Sequence, residues 1–236
     1  MTSGIRAALK IARKDIVSQI RKKFEIFSML LFALIAGLVF SFALPTALVE
    51  DLGGEAAIGA ALIWVIVFFT GMFGFAPIFL AESESGTLRG LSVAPIPAWS
   101  VYIGKVIYGF VLMVLVEIFI IPIIQVLFGF TMFNDEPLLI VATLLIGTLD
   151  LAAVGSMASA LTMPSESKAT IFPLVYFPTA TSGLILLTEI TRVLATGTSI
   201  VIAVGLTIPI LFIALLAHLV AMLTLSAVVF NFALSP

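Results

Sequence analysis

The sequence predicts an all-α membrane protein, with six transmembrane helices preceded by an N-terminal amphipathic interfacial helix. Three observations carry this. The 236 residues are 62% hydrophobic and only 10% charged, whereas soluble domains hold about 45–50% apolar and about 25% charged residues. A domain of this size in water needs a large polar surface, which this composition cannot supply. Six apolar stretches are long enough to cross roughly 30 Å of hydrocarbon, which takes about 20 helical residues. Finally, seven of the eleven Lys and Arg residues (Arg6, Lys10, Arg13, Lys14, Arg21, Lys22, Lys23) crowd into the first 23 positions.

The chain reads as one transmembrane domain, 1–236. In residues 1–23, Ile5, Leu9, Ala12, Ile16 and Ile20 recur every three or four positions, with Arg13, Lys14, Arg21, Lys22 and Lys23 on much of the remaining surface. That pattern predicts an amphipathic helix in the cytoplasmic headgroup layer; the plainer reading is that the basic residues only set topology. The six spans fall at 26–49, 57–81, 101–130, 137–162, 169–188 and 200–230. They must be helices, because a lipid-exposed backbone has to satisfy its own hydrogen bonds, and the alternation of a β-barrel is absent. Residues 189–199 are semi-polar and read as a short interfacial helix or a re-entrant turn. Pro45 stands where it can end the first span, Pro77 falls late in the second, Pro122 interrupts the third, and Pro173 and Pro178 interrupt the fifth. Interior prolines kink helices, so the fifth span is expected to bend most.

Orientation follows from the positive-inside rule. The N-terminus, the 82–99 connection with Arg89 and nearby Lys105, and the 163–168 turn with Lys168 share one side. The turns with Glu50, Asp51 and Glu55, with Asp135 and Glu136, and with Glu189 and Arg192 share the other. Ten basic residues against one place both termini in the cytoplasm of a multi-pass inner-membrane protein.

Chemistry has little to work with. No Gly-x-x-x-x-Gly-Lys-Ser/Thr loop is present, nor His-Glu-x-x-His, nor Gly-x-Ser-x-Gly. One histidine and no cysteine argue against a zinc site and exclude disulfides. The basic start is too long, and lacks the small-residue cleavage site, for a cleavable signal peptide. The candidate groups are therefore intramembrane: Glu117, Gln125, Asp150 and His218. Glu117 precedes the 131–136 turn by 14 residues and Asp150 follows it by 14, so both lie about 21 Å below that end of the hairpin. His218 lies about 6 Å deeper by the same rise. A charged carboxylate there costs roughly 2.5–3.5 kcal/mol on insertion scales, so each should face protein or a wet cavity. Three readings stay open: a polar clasp between helices or across a dimer, a hydrophilic patch lining a path, and a proton relay or acid-pair catalyst. Trp99 and Tyr102 read as an aromatic belt and Trp64 as packing. Gly71-x-x-Gly74 and Gly155-Ser156-x-x-Ser159-Ala160 would allow close helix approach.

The 82–99 connection is a polar island between apolar runs, carrying Glu82, Glu84, Gly86, Thr87, Leu88, Arg89 and Pro95. A short helix around 86–92 is expected, with Leu88 and Leu91 available to a partner's pocket. The string Ala81 to Pro95 followed by Tyr102-Ile-Gly-Lys105 resembles the corresponding loop of the haem exporter protein B (CcmB) family, within the ABC-2 group of permeases. The resemblance extends to Ala12-Arg-Lys-Asp15 with Arg21-Lys-Lys23, to Val116-Glu117 through Pro122, and to Leu145-Ile-Gly-Thr148 with Ala153-Val-Gly155, covering roughly residues 5–190. Two positions depart from it. Arg89 stands where relatives often carry an acidic residue, and Asp150 where an apolar or small one is expected.

The resemblance implies a permease subunit that is not itself an enzyme, working as two copies with separate CcmA-like ATP-binding subunits that bind the ATP. The coupling residues would be Glu82, Glu84, Gly86, Thr87, Leu88, Arg89 and Pro95, assisted by the interfacial helix. It implies service in cytochrome c maturation beside CcmC-like and CcmD-like haem-handling membrane proteins and a CcmE-like haem chaperone. Haem is then the cargo, or the loaded chaperone is what is released; no cofactor is assigned to the chain, and no nucleic acid is expected. The alternatives are an ABC-2 exporter of lipid, polysaccharide or drug, and a proton-coupled carrier or intramembrane hydrolase using Glu117 and Asp150.

Overall fold

A computed structural model describes residues 2–79, 96–133, 136–162, 168–196 and 208–233. Among them the regular structure is entirely helical: α1 (Thr2–Arg21), α2 (Lys23–Ala43), α3 (Thr46–Asp51), α4 (Glu55–Phe75), α5 (Ala98–Phe128), α6 (Pro137–Leu161), α7 (Lys168–Thr196) and α8 (Ile208–Ala233). Six of these, α2 and α4 to α8, are long and apolar enough to cross a membrane. The all-helical, six-span architecture that the composition predicts is therefore the one observed.

Local chemistry sets the boundaries. The first apolar stretch does not run helical to 49: α2 stops at Ala43 and α3 restarts after Pro45, because proline disfavours helix in the residue before it. Gly53 and Gly54, both at positive φ, make the turn into α4. α4 ends at Phe75, just before Pro77, and the last two positions expected for the second span, 80 and 81, lie outside the described residues. Gly129, at φ 68, ends α5 in the left-handed conformation common after helices, and Pro137 opens α6. Pro122, Pro173 and Pro178 lie inside α5 and α7, which are assigned as continuous helices. α7 continues past 188 to Thr196, so 189–196 extends the fifth span. There Thr191 accepts a bond from Trp64 Nε1 at 2.8 Å, and Arg192 pairs with Glu189, which satisfies the polar groups that make this stretch look like a turn.

α4 and α6 form the inside of the bundle. α4 packs on α7, α5 and α2, while α6 packs on α8, α7 and α5. Their contact is made by glycines that take aromatic rings. Phe75 is fully buried, and a Cβ at Gly109 of α5 would come within 2.6 Å of its ring, one at Gly155 of α6 closer still. Gly59 receives Phe130, and Gly147 receives Trp64 and Leu187. Tyr176 stacks on Phe68 with centroids 4.9 Å apart, and on Phe172 at 5.3 Å. The outside is the reverse of a soluble surface: Phe24, Phe42, Val126 and Leu138 are each more than four-fifths exposed, a coat suited to lipid rather than to water.

Filling the cradle should therefore destabilise the bundle. Gly155→Ala is expected to cost about 1–3 kcal/mol, as over-packing does, and adding Phe75→Leu should recover part of it. Thermal unfolding of detergent-purified protein measures both.

Candidate functional site

Two polar assemblies stand out against the apolar bundle. The first lies within the membrane-length helices. Asp150, on α6, has no exposed surface. Its Oδ1 and Oδ2 stand 2.8 and 3.0 Å from Nδ1 of His218 on α8, and Nε2 of the same ring lies 2.8 Å from Ser182 Oγ on α7. Three helices are thus joined through one imidazole. Gly183 makes this possible, because a Cβ there would run into Asp150 Oδ2 and come within 3.2 Å of the His218 ring. Asp, His and Ser follow the connectivity of a charge-relay triad, yet Ser182 and Gly183 sit inside the continuous helix α7. Their amides are committed to helical bonds and offer no pair of donors to an oxyanion. The geometry suits a clasp rather than a hydrolytic centre.

Glu117 is elsewhere. It accepts a bond from Thr148 Oγ1, whose oxygen also lies 2.6 Å from Leu144 O. Thr148 and Asp150 are two residues apart on α6, hence about 200° apart around the helix, so the two acids address different neighbours despite their similar depth. Gln125 is different again: its Oε1 accepts the Met132 amide at 2.9 Å and ties down the chain after α5. Of the four intramembrane candidates, only Asp150 and His218 come together. Ser182 and Gly183 complete that pair's arrangement, and Thr148 partners Glu117. Nothing in the spacing marks Gly183 or the two hydroxyls.

The second assembly is at α1. Gly4, Ala8, Ile11 and Asp15 face α5, whereas Ile5, Leu9 and Ile20 are exposed and half or more accessible. The apolar stripe read from the sequence is thus only partly the packed face: Ala12 is buried and Ile16 packs against the core, while Ile5, Leu9 and Ile20 are exposed. A Cβ at Gly104 would come 2.9 Å from Ala8 O, so the two helices touch backbone to backbone. Beside it, Asp15 Oδ2 pairs with Lys105 Nζ at 2.9 Å and Asp15 Oδ1 with Lys14 at 2.9 Å. Arg13, Lys14, Arg21, Lys22 and Lys23 are all exposed. Lys10, Arg13, Lys14, Val17, Ser18 and Arg21 line an open groove of about 550 Å³, and Lys22 bonds Glu25 at 3.0 Å. Glu82, Glu84, Gly86, Thr87, Leu88, Arg89 and Pro95 lie outside the described residues. The turn after α4 and the start of α5 come beside α1 at Ile78, Trp99 and Lys105.

Fold and site together define a polytopic membrane protein in which two ionisable pairs, Asp150 with His218 and Asp15 with Lys105, join different helices. A family model described as CcmB protein matches residues 6–235. The chain therefore belongs to the CcmB family, that of ABC-transporter permease subunits of haem export and cytochrome c maturation, and is a multi-pass inner-membrane protein. The match takes in the last span, which the residue-level resemblance reached only as hydrophobicity. Comparison with curated proteins gives no match.

Asp150→Leu strands the His218 ring and should lose about 1–3 kcal/mol, the cost of an unsatisfied buried donor. The double variant Asp150→Leu/His218→Leu should lose less than the single one. Paired melting curves in detergent decide it.

Proposed function

We propose that the chain transmits the work of a separate ATP-binding subunit across the inner membrane during cytochrome c maturation, with the polar segment after α4 as the receiving surface. The observation that carries this is positional. The chain has no phosphate-binding loop of its own, and the described residues that flank its one long polar connection, Ile78 and Trp99, lie beside α1, a helix that bears five of the eleven Lys and Arg residues. Positive charge marks the cytoplasmic side, where ATP and a nucleotide hydrolase are found. On this reading both termini are cytoplasmic, and Glu82, Glu84, Gly86, Thr87, Leu88, Arg89 and Pro95 meet a CcmA-like subunit.

The working unit is a pair of these chains with two ATP-binding subunits, CcmC-like and CcmD-like membrane proteins, and a CcmE-like chaperone on the far side. Haem is either the cargo or the burden of the chaperone that is released. The closed geometry of Asp150, His218 and Ser182 favours release: His218 has both ring nitrogens engaged and offers no open position to an iron.

Gly86→Pro should leave membrane insertion intact while disconnecting ATP hydrolysis from cytochrome c production; normal production in that variant would count against the assignment. The chain lacks cysteine, so single cysteines at positions 84 to 92 should crosslink to the ATP-binding subunit. Capture of no such subunit would sink the reading.

A further inference from the structure

Three elements meet at a single buried ammonium. Lys105, on α5, is 2% exposed. Its Nζ stands 2.9 Å from Asp15 Oδ2 of α1, donates to Ile78 O at 2.9 Å in the turn that closes α4, and lies 4.9 Å from the centroid of the Phe79 ring. We infer that Lys105 is a positioning residue that fastens the N-terminal helix to the exit of α4, so that α1, the end of α4 and the start of α5 move as one body.

A buried ammonium is held by the sum of its partners, and giving up one leaves charge unsatisfied in a low-dielectric setting. The distances among Asp15, Ile78 and Lys105 are therefore fixed together. Shape reinforces charge, because the absence of a side chain at Gly104 brings the α1 backbone against α5 next to this joint. The phenyl face of Phe79 adds an attraction that a neutral side chain at 105 would lose. A displacement of Ile78 and Phe79 is then carried into α1, and with it the free faces bearing Ile5, Leu9 and Lys10 sweep along the membrane surface. Lys14, the other partner of Asp15, is 60% exposed and adds little to this linkage.

The inference rests on the coupling reading above, because it supposes that force enters through the residues after α4. Its test uses the cysteine-free chain in complex with its ATP-binding subunit in lipid nanodiscs, with spin labels at Lys10→Cys on α1 and Leu138→Cys at the start of α6. The label-to-label distance should change between nucleotide-free and ATP-bound states. Lys105→Met should abolish that change while the ATP-binding subunit stays bound, and Lys14→Gln should not. Asp15→Asn, which cuts only the α1 arm, serves if Lys105→Met fails to accumulate, and the same loss is expected. An undiminished change in either variant, or no change in the parent chain, overturns the joint. Failure of the ATP-binding subunit to bind the parent chain overturns the coupling reading, and the joint falls with it. A bound, hydrolysing subunit with α1 indifferent to Lys105 overturns the joint alone.

Discussion

Hydrocarbon offers no hydrogen-bond partner, so every polar group that this chain carries into it has to find one within the protein. That constraint organises the bundle. Hydroxyls along the spans turn back on their own helices: Thr70 to Ile66 O at 2.6 Å, Thr143 to Leu139 O at 2.7 Å, Thr179 to Val175 O at 2.7 Å, Thr181 to Phe177 O at 2.6 Å. Groups too strong for such local satisfaction reach across helices instead, as Asp150, His218 and Ser182 do. Among the described residues, Ser100, Ser156 and Tyr176 are the buried hydroxyls without such a partner.

Association between spans cannot rely on expelling water, because lipid tails are as apolar as leucine. Close packing has to supply the attraction, and here glycines supply the room. Phe75 enters the space left open at Gly71, Gly109 and Gly155, and Trp64 that at Gly147. The small-residue patterns in the sequence were correctly read as places of close approach. What approaches is a side chain rather than a neighbouring backbone, the Phe75 ring at Gly155 and Leu112, Met29 and Met113 at Gly74, except at Gly104, where α1 does come in by its backbone.

α1, which the sequence marks as an amphipathic interfacial helix, also packs on α5 through residues outside its apolar stripe. It has three faces: a small-residue face on α5, a free apolar face, and a basic one. The first was hidden in the sequence because Gly4 and Ala8 carry little hydropathy signal, and because Asp15 looks like one more charge in a charged segment. Lys105 likewise counted toward topology and toward the family resemblance, with nothing to mark a pairing. Its partners are remote in sequence, Asp15 lying 90 positions away and Ile78 contributing a carbonyl that no side-chain pattern reveals.

Composition and periodicity alone determined the solvent, the number of spans and the loops that carry the positive charge, because each depends on local hydropathy or on the placement of Lys and Arg. The string from Ala81 to Pro95 was enough to suggest the family. Which acid meets which partner was decided only by tertiary structure. Depth along a span follows from residue number, but the direction a side chain faces depends on how each helix is rotated and what packs against it. Glu117 and Asp150 share a depth yet look away from one another. His218 finds Asp150 because α8 lies on α6 with Gly183 of α7 leaving the gap between them open.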